Sequence, residues 1–521
     1  MPSILKMPVP SQKKFLILVV FVYFSAGMLF LYFYRFQINP DGISYISLAQ
    51  KYVSGDYAHA VNAYWSPLLV WMSIPFYLIG LNDIVAMKIC LLFSGIVVFI
   101  GVHSLWRCFT ISDEIKRAIF ISLIPLVLYG VLYVISPDML SAGILCWYWG
   151  ILFNARYLEK LSYGTACGIL GALGYFSKAY IFYFFAVHFL TINILFFYMN
   201  NDIAHRKSIA RNFIAGILSF LIISGCWIFV LSAKYGGITV STAGAYNLAE
   251  FAPDSPGIPI KYGGLMAPSN ATALSAWEDP SYHIFTPWNP FASWHDLLYF
   301  ARHFCVNCLV AIRKLAFAWC CIFVLASCIF VQRKKIQWPL THSFIMYCAI
   351  TIFIYIAGYC FVRVLSRYLW GIYFLIMIVC GCLLTVLYQH VQINKLSRRL
   401  IILMFSAGFT IIPAYRLINK INTGKEVSIL ANQLKDASIT QGTIAADSRY
   451  NTALSLCFFS GNAFYGIPQK NTGLETQLKD HAIDYFLSFG NETDTEHFLS
   501  TLHSISLNEG KEHIRIFFLK K

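Results

Sequence analysis

The chain has 521 residues, of which 58% are hydrophobic, 17% aromatic and only 12% charged. A soluble domain carries about twice that share of charge, so a soluble globular protein is excluded. The net charge of +15 does not mark a nucleic-acid binder, because many of the cations gather in short turns between apolar runs, where Lys and Arg orient a membrane protein.

Taken in chain order, residues 15–34 form an uncharged apolar run. At about 1.5 Å of rise per residue, some twenty such residues cross the hydrocarbon as a helix. Lys13 and Lys14 precede the run and no small-residue cleavage site closes it, which reads as a retained first span and not a removed signal peptide. With the N-terminus cytoplasmic, the loop 35–83 lies outside. Its stretches 43–54 and 65–80, the second interrupted by Pro67 and Pro75, are expected to lie along the interface as helices. Further spans are expected at about 84–106, 118–135, 139–154, 162–177, 179–199, 212–233, 306–331, 340–360, 368–389 and 400–417, giving about eleven transmembrane helices in all.

The inward-facing turns then hold Arg107, Lys116 and Arg117; Arg156 and Lys160; Arg206, Lys207 and Arg211; Arg333, Lys334 and Lys335; and Lys395, Arg398 and Arg399. Shifting the count by one span would move every one of these clusters to the wrong side. Two segments lie outside the membrane. Residues 234–303 are rich in Gly, Pro, Ser and Trp with no sustained period and read as an ordered irregular loop, and loops of that length are usually functional. Residues 418–521 alternate helix-like stretches (427–437, 471–482) with strand-like ones (442–446, 484–488, 514–519), which predicts a small α/β unit. The expected organisation is an α-helical polytopic membrane domain over 1–417 and a soluble α/β domain over 418–521. The fifteen cysteines lie mostly in or beside apolar runs and read as small apolar side chains. Cys305 and Cys308 have redox or zinc spacing but no second pair or His set.

Asp41 follows the first span directly, in Asn39-Pro40-Asp41-Gly42. A carboxylate held there by a turn suits a general base, and it equally suits capping the helix that follows. Asp138, in Ser136-Pro137-Asp138, reads on its own as the cap of the fourth span. Lys178 lies between two apolar spans, where an ammonium must snorkel or meet an anion. Arg363 and Arg367 precede Tyr368 at the outer start of the tenth span, against the positive-inside trend. Together these cations suit a lipid phosphate, which guanidinium groups grip bidentately, with headgroup anchoring as the plainer alternative. In the long loop Glu278, Asp279 and His283 are candidate sugar contacts, whereas Trp277, Trp288 and Trp294 read as interface anchors. Asn270 and Asn491 head glycosylation-acceptor triplets. No phosphate-binding loop supports ATP-driven transport, few acidic residues sit in the spans to relay ions, and no Ser/His/Asp set stands out.

These features, in this order, resemble the GT-C membrane glycosyltransferases, the group that includes lipid A aminoarabinose transferase and the protein O-mannosyltransferases. Four motifs carry the resemblance. They are Asp41-Gly42-Ile43-Ser44-Tyr45 with Tyr64-Trp65-Ser66-Pro67-Leu68, Ser136-Pro137-Asp138-Met139-Leu140, Gly174-Tyr175-Phe176-Ser177-Lys178, and Ser366-Arg367-Tyr368-Leu369-Trp370. The resemblance implies a GT-C fold and an inverting transfer from a polyprenyl-phosphate-linked donor, on the periplasmic or luminal face of a membrane such as the bacterial inner membrane. It implies Asp41 as the catalytic base, Asp138 as a second acidic residue at the site, and Lys178 and Arg367, with Arg363 and Tyr368, on the donor phosphate. Tyr45, Tyr64 and Trp65 of the matching motifs join Glu278, Asp279 and His283 as expected substrate contacts. Gly42 stands where the protein O-mannosyltransferases carry a second acidic residue, which leaves a divalent metal and a protein acceptor in doubt. The acceptor class, whether glycan, lipid or protein, is left open. The rival reading is a flippase or transporter of a lipid-linked saccharide, which should line a path of charge through the bilayer. Here Asp41, Asp138, Lys178 and Arg367 are instead expected at one depth.

Overall fold

The computed structural model describes residues 12–255, 257–283, 285–318, 321–322, 325–326, 341–469, 473–490, 496–510 and 512–519. Helix α1 (Gln12–Tyr34) contains the whole first apolar run. The loop after it holds α2 (Pro40–Ser54), the single turn α3 (Tyr57–Ala60) and α4 (Leu68–Leu78). α2 starts where Pro40 takes the first helical position, at which a missing N–H is harmless. It stops at Gly55, whose φ of +81° glycine adopts without a Cβ penalty.

α5 (Asp83–Trp106), α6 (Asp113–Tyr133), α7 (Asp138–Leu152), α8 (Leu161–Ser177), α9 (Tyr180–Met199) and α10 (Ile203–Tyr235) follow with short connections. α8 and α9 are one apolar stretch broken at Lys178, whose extended backbone (φ −156°, ψ 121°) ends the first helix. The long loop carries only the short α11 (Ala243–Ala249) and α12 (Pro259–Tyr262) before α13 (Trp294–Lys314), α14 (Thr341–Cys360), α15 (Trp370–His390) and α16 (Lys395–Asn419). Among the described residues, seven helices are long and apolar enough to cross a bilayer, and α7 and residues 345–360 are shorter apolar helices. The chain is a multi-pass membrane protein.

Ten of the eleven expected spans fall on helices. The remaining one, 306–331, is corrected at both ends of its first part: the helix begins at Trp294, where Ser293 accepts the Asp296 N–H and caps it, and ends at Lys314, inside the expected span. The polar residues Arg302, His303 and Asn307 within it hide this start from a hydropathy reading, so the irregular loop ends at 293 and not at 303. The latter part of this expected span, the basic turn at Arg333, Lys334 and Lys335, and the Asn491 triplet lie outside the described residues.

The bundle closes through small residues. A Cβ at Gly143 would stand 2.7 Å from the Val98 nitrogen and one at Gly150 2.6 Å from the Leu105 nitrogen, so α5 and α7 touch only because both positions are glycine. Phe99, Phe120, Trp149 and Ile376 fill the surrounding core, fully buried.

Beyond α16 the chain forms α17 (Lys425–Asp436), α18 (Tyr450–Ser460), α19 (Leu474–Asp480) and α20 (Glu496–Ser500) around a five-stranded sheet. Its strands are β1 (Thr443–Ala446), β2 (Ala463–Gly466), β3 (Tyr485–Ser488), β4 (Ser504–Glu509) and β5 (Glu512–Phe518), in the order β2-β1-β3-β5-β4. β1 runs parallel to β2 and β3, with Ile444 opposite both Phe464 and Tyr485, and β5 is antiparallel to β3 and β4. β2, β4, α18 and α20 lie outside the expected stretches. The long loop is laid along β2: Phe464 donates its N–H to the Leu274 carbonyl at 2.8 Å, and Met266 to that of Tyr465 at 2.7 Å. α18 lies against α2, which joins the sheet unit to the segment carrying Asp41.

Candidate active site

The site forms where α1, α6 and α8 end and α2, α7 and α15 begin. Asn39 ties the first loop to the connector before α7: its side-chain oxygen accepts the Ile135 N–H at 2.9 Å, and its amide donates to the Ile135 carbonyl at 3.3 Å. Gly42 permits that contact, since a Cβ there would lie 2.8 Å from Ile135 Cβ. This packing is a physical reason why no second acidic residue follows Asp41. The stitched loops carry Asp41 in the first turn of α2 and Asp138 in the first turn of α7.

Neither aspartate spends its carboxylate on a cap. Asp41 Oδ2 accepts from Arg367 Nη2 at 2.6 Å, and its Oδ1 from Trp277 Nε1 at 3.3 Å. Asp138, buried, accepts from Lys178 Nζ at 2.5 Å on Oδ1 and from Ser136 Oγ at 2.9 Å on Oδ2. Arg367 Nε is 3.5 Å from Asp138 Oδ2, so one guanidinium spans both carboxylates. Lys178 Nζ also sits 3.5 Å from the centre of the Tyr368 ring, which stacks on Tyr359 at 4.9 Å. Burial lowers the Lys178 pKa to about 8, with Asp138 acting against the shift. Two carboxylates and two cations, from four separated parts of the chain, thus make a closed and formally neutral set. The side chains of Asp41 and Arg367 keep 16% and 25% of their exposure, which leaves the set open to a ligand.

Aromatic rings wall one side. Tyr45, buried, meets Trp65 edge-on at 5.2 Å, and Tyr64 meets both Trp65 and Trp277 at 4.7 and 5.6 Å. Burial, followed by the charges of Asp41 and Asp138, holds the Tyr45 hydroxyl well above its ordinary pKa. Trp277 was expected only as an interface anchor. Nothing in the sequence distinguishes it from the other tryptophans, because its bond to Asp41 exists only once the long loop has folded back. Lys314, also not foreseen, reaches Ser366 Oγ at 3.4 Å, beside Arg367.

Other expected contacts are turned elsewhere. Arg363 pairs with Glu250 at 2.7 Å and not with the set. Glu278 is buried against Lys51, with Ser47 Oγ donating to it at 2.5 Å, and Asp279 accepts the Tyr235 hydroxyl at 2.5 Å. These acids lock the long loop onto α2 and α10, since a buried carboxylate must find donors. His283 lies past them, its Nε2 buried with no hydrogen-bond partner among the described residues.

No family model and no curated protein matches the sequence. Solved structures do match in fold. ArnT from Cupriavidus metallidurans in the apo state superposes with a TM-score of 0.57 at 12% identity, over 95% of this chain and 97% of that one. ArnT bound to undecaprenyl phosphate gives 0.57 and 12%, over 97% and 98%. Archaeal oligosaccharyltransferase AglB from Archaeoglobus fulgidus, in complex with an inhibitory peptide and a dolichol-phosphate, gives 0.52 and 10%, over 94% and 71%. Both proteins are of the GT-C superfamily. The chain has the GT-C fold. The likeness of fold runs through the membrane helices and the sheet unit alike, and at this identity it speaks for architecture alone.

A divalent ion fits this site poorly. Among the described residues no three His, Cys, Asp or Glu side chains gather as ligands, and both aspartates are already held by cations that would repel a metal.

Proposed function

We propose that this protein is an inverting glycosyltransferase that moves a sugar from a polyprenyl-phosphate-linked donor to an acceptor at the membrane surface. The observation that carries the reading is Arg367 spanning Asp41 and Asp138 while Lys178 closes the set. The presence of a polyprenyl phosphate on both ArnT and AglB supports the choice of donor.

The chemistry follows from charge. A polyprenyl phosphosugar is a phosphodiester with one negative charge. Asp41 takes the proton of the acceptor hydroxyl or amine, whose lone pair attacks the anomeric carbon from the face opposite the phosphate. The anomeric C–O bond breaks, its electrons go to the phosphate oxygen, and the configuration inverts. Polyprenyl phosphate leaves as a monoester carrying close to two negative charges. Once protonated, Asp41 no longer neutralises Arg367, and the freed guanidinium faces the growing charge together with Lys178. The set therefore goes from neutral to one net positive charge at the step when the leaving group gains one negative charge. Asp138 holds Lys178 and Arg367 in place throughout, and Tyr368 lies under Lys178 to orient it. Tyr45, Tyr64 and Trp65 form the wall against which the sugar packs.

We assign residues 1–417 to the membrane domain and 418–521 to a soluble domain on the periplasmic or luminal side, with the N-terminus cytoplasmic, on the positive-inside pattern. The sheet unit and the long loop, which meet at β2, are the natural bearers of acceptor choice.

The test is Asp41→Asn in the full-length protein in lipid bilayers. Transfer from radiolabelled polyprenyl-phosphate sugars should fall about 10²–10⁴-fold, the usual contribution of a general base, while undecaprenyl phosphate still binds. Transfer at the parental rate would overturn the mechanism. Transbilayer movement of a lipid-linked saccharide without any transfer by the parental protein would replace it with transport.

A further inference from the structure

Lys88 is a fully buried lysine in the second turn of α5, and among the described residues no carboxylate pairs with it. Its ammonium donates to Gln37 Oε1 at 2.6 Å and to the Leu132 carbonyl at 2.5 Å, with the Tyr34 ring 5.7 Å away. An ammonium taken out of water without an anion is costly, and an apolar side chain of similar length fills such a space more cheaply. Packing alone therefore does not explain a lysine here.

Its two acceptors give the reason. Gln37 lies just before Asn39-Pro40-Asp41, and the Leu132 carbonyl belongs to the last turn of α6, just before Ile135-Ser136-Pro137-Asp138. Asn39 and Ile135 join the same two segments further along. The segments are thus tied at two points, Lys88 first and Asn39 second, and the two aspartates project beyond the second tie. The Leu132 carbonyl is one of the last four of α6, which have no partner within the helix, and Lys88 supplies its donor.

We propose that Lys88 is a positioning residue that fixes the spacing of Asp41 and Asp138, so that one guanidinium can span both. The effect on transfer rests on the glycosyltransferase reading given above; the effect on spacing does not. A misplacement of about 1 Å at a reacting group costs about a hundredfold in rate, so a modest separation of the two segments is enough to matter.

The experiment compares Lys88→Met with the parental full-length protein in lipid nanodiscs. Thermal stability and affinity for undecaprenyl phosphate should be nearly unchanged, because Lys178 and Arg367 remain, while transfer falls about a hundredfold at unchanged donor KM. Lys88→Gln, which keeps an N–H donor for the Leu132 carbonyl, should recover part of the rate. Lys88→Leu replaces Lys88→Met in every assay if the latter fails to accumulate. Transfer at the parental rate, or loss of stability, phosphate affinity and transfer together, overturns the proposal. A second measurement is independent of the reaction: oxidative cross-linking of an Asn39→Cys, Ile135→Cys pair should be several-fold slower when Lys88→Met is added. An equal rate overturns the proposal. If the parental protein neither binds undecaprenyl phosphate nor transfers sugar, the functional reading fails and the cross-linking rate alone decides for or against Lys88.

Discussion

Arg367 is the residue on which the charge balance turns. Its guanidinium reaches Asp41 through Nη2 and Asp138 through Nε, a geometry that a single ammonium cannot reproduce. Arg367→Lys keeps the charge but not the span, and transfer should fall by about tenfold or more in membranes where the variant is as abundant as the parent. Lys178 offers a pH signature. Because burial brings its pKa to about 8, it is charged below that pH and neutral above it. The kcat/KM for the donor should therefore be full below about pH 8 and fall about tenfold per pH unit above it. Lys178→Arg, which keeps its charge throughout, should remove that alkaline limb in a pH–rate profile; a limb that persists would move the titration to another group. These roles were only partly legible in sequence. Asp41 suited a base or a cap equally, and Asp138 favoured a cap. Tertiary structure excluded the cap because Arg367, Lys178 and Trp277, which lie far away along the chain, occupy the two carboxylates.

At the scale of elements, the site depends on how closely α2 approaches the connector before α7, and on what holds the long loop over α2. Gly42→Ala places a Cβ 2.8 Å from Ile135 Cβ, closer than side chains pack, so one segment must shift. A loss of about 1–3 kcal/mol is expected, read from thermal unfolding in detergent, with a larger proportional loss of transfer. Gly42→Asp, which creates an adjacent acidic pair, should be worse and should not be rescued by divalent ions. Glu278→Ala leaves Lys51 buried without its partner. Removing one member of such a pair costs about 3–5 kcal/mol, whereas Lys51→Met combined with Glu278→Leu should regain most of it. Equal stability of the single and double variants would show that the pair does not hold the loop. Helix existence followed from long apolar runs, but the start of α13 did not, since its cap Ser293 and its polar residues look like loop to a hydropathy reading. β2 and β4 escaped for a related reason: short strands declare themselves through their neighbours in the sheet.

For the whole molecule, we propose the orientation in which the basic turns between spans face the cytoplasm and α1 enters from that side. Thr272→Cys and Lys207→Cys, each in a background lacking the exposed Cys226 and Cys305, should then react with a membrane-impermeant maleimide from opposite sides. Labelling of both from one side would reverse or break the topology, and with it the placing of the site at the outer surface. The sheet unit should resist removal, because the long loop is bonded to β2 and α18 lies against α2.

Local sequence by itself determined the membrane class, nearly every helix and the grouping of cations into short turns. Each of these depends on a property of one contiguous stretch: apolar length, a breaker or a cluster of cations. The same stretches also carried the motifs that pointed to the GT-C fold. Only the tertiary structure decided which charges meet. Glu278, Asp279 and Arg363 looked as available as Asp41 and Arg367, and they differ only in the partner that folding brings to each. A buried charge takes the nearest donor or counter-ion in space, and for Asp41, Glu278 and Arg363 that partner lies 326, 227 and 113 residues away.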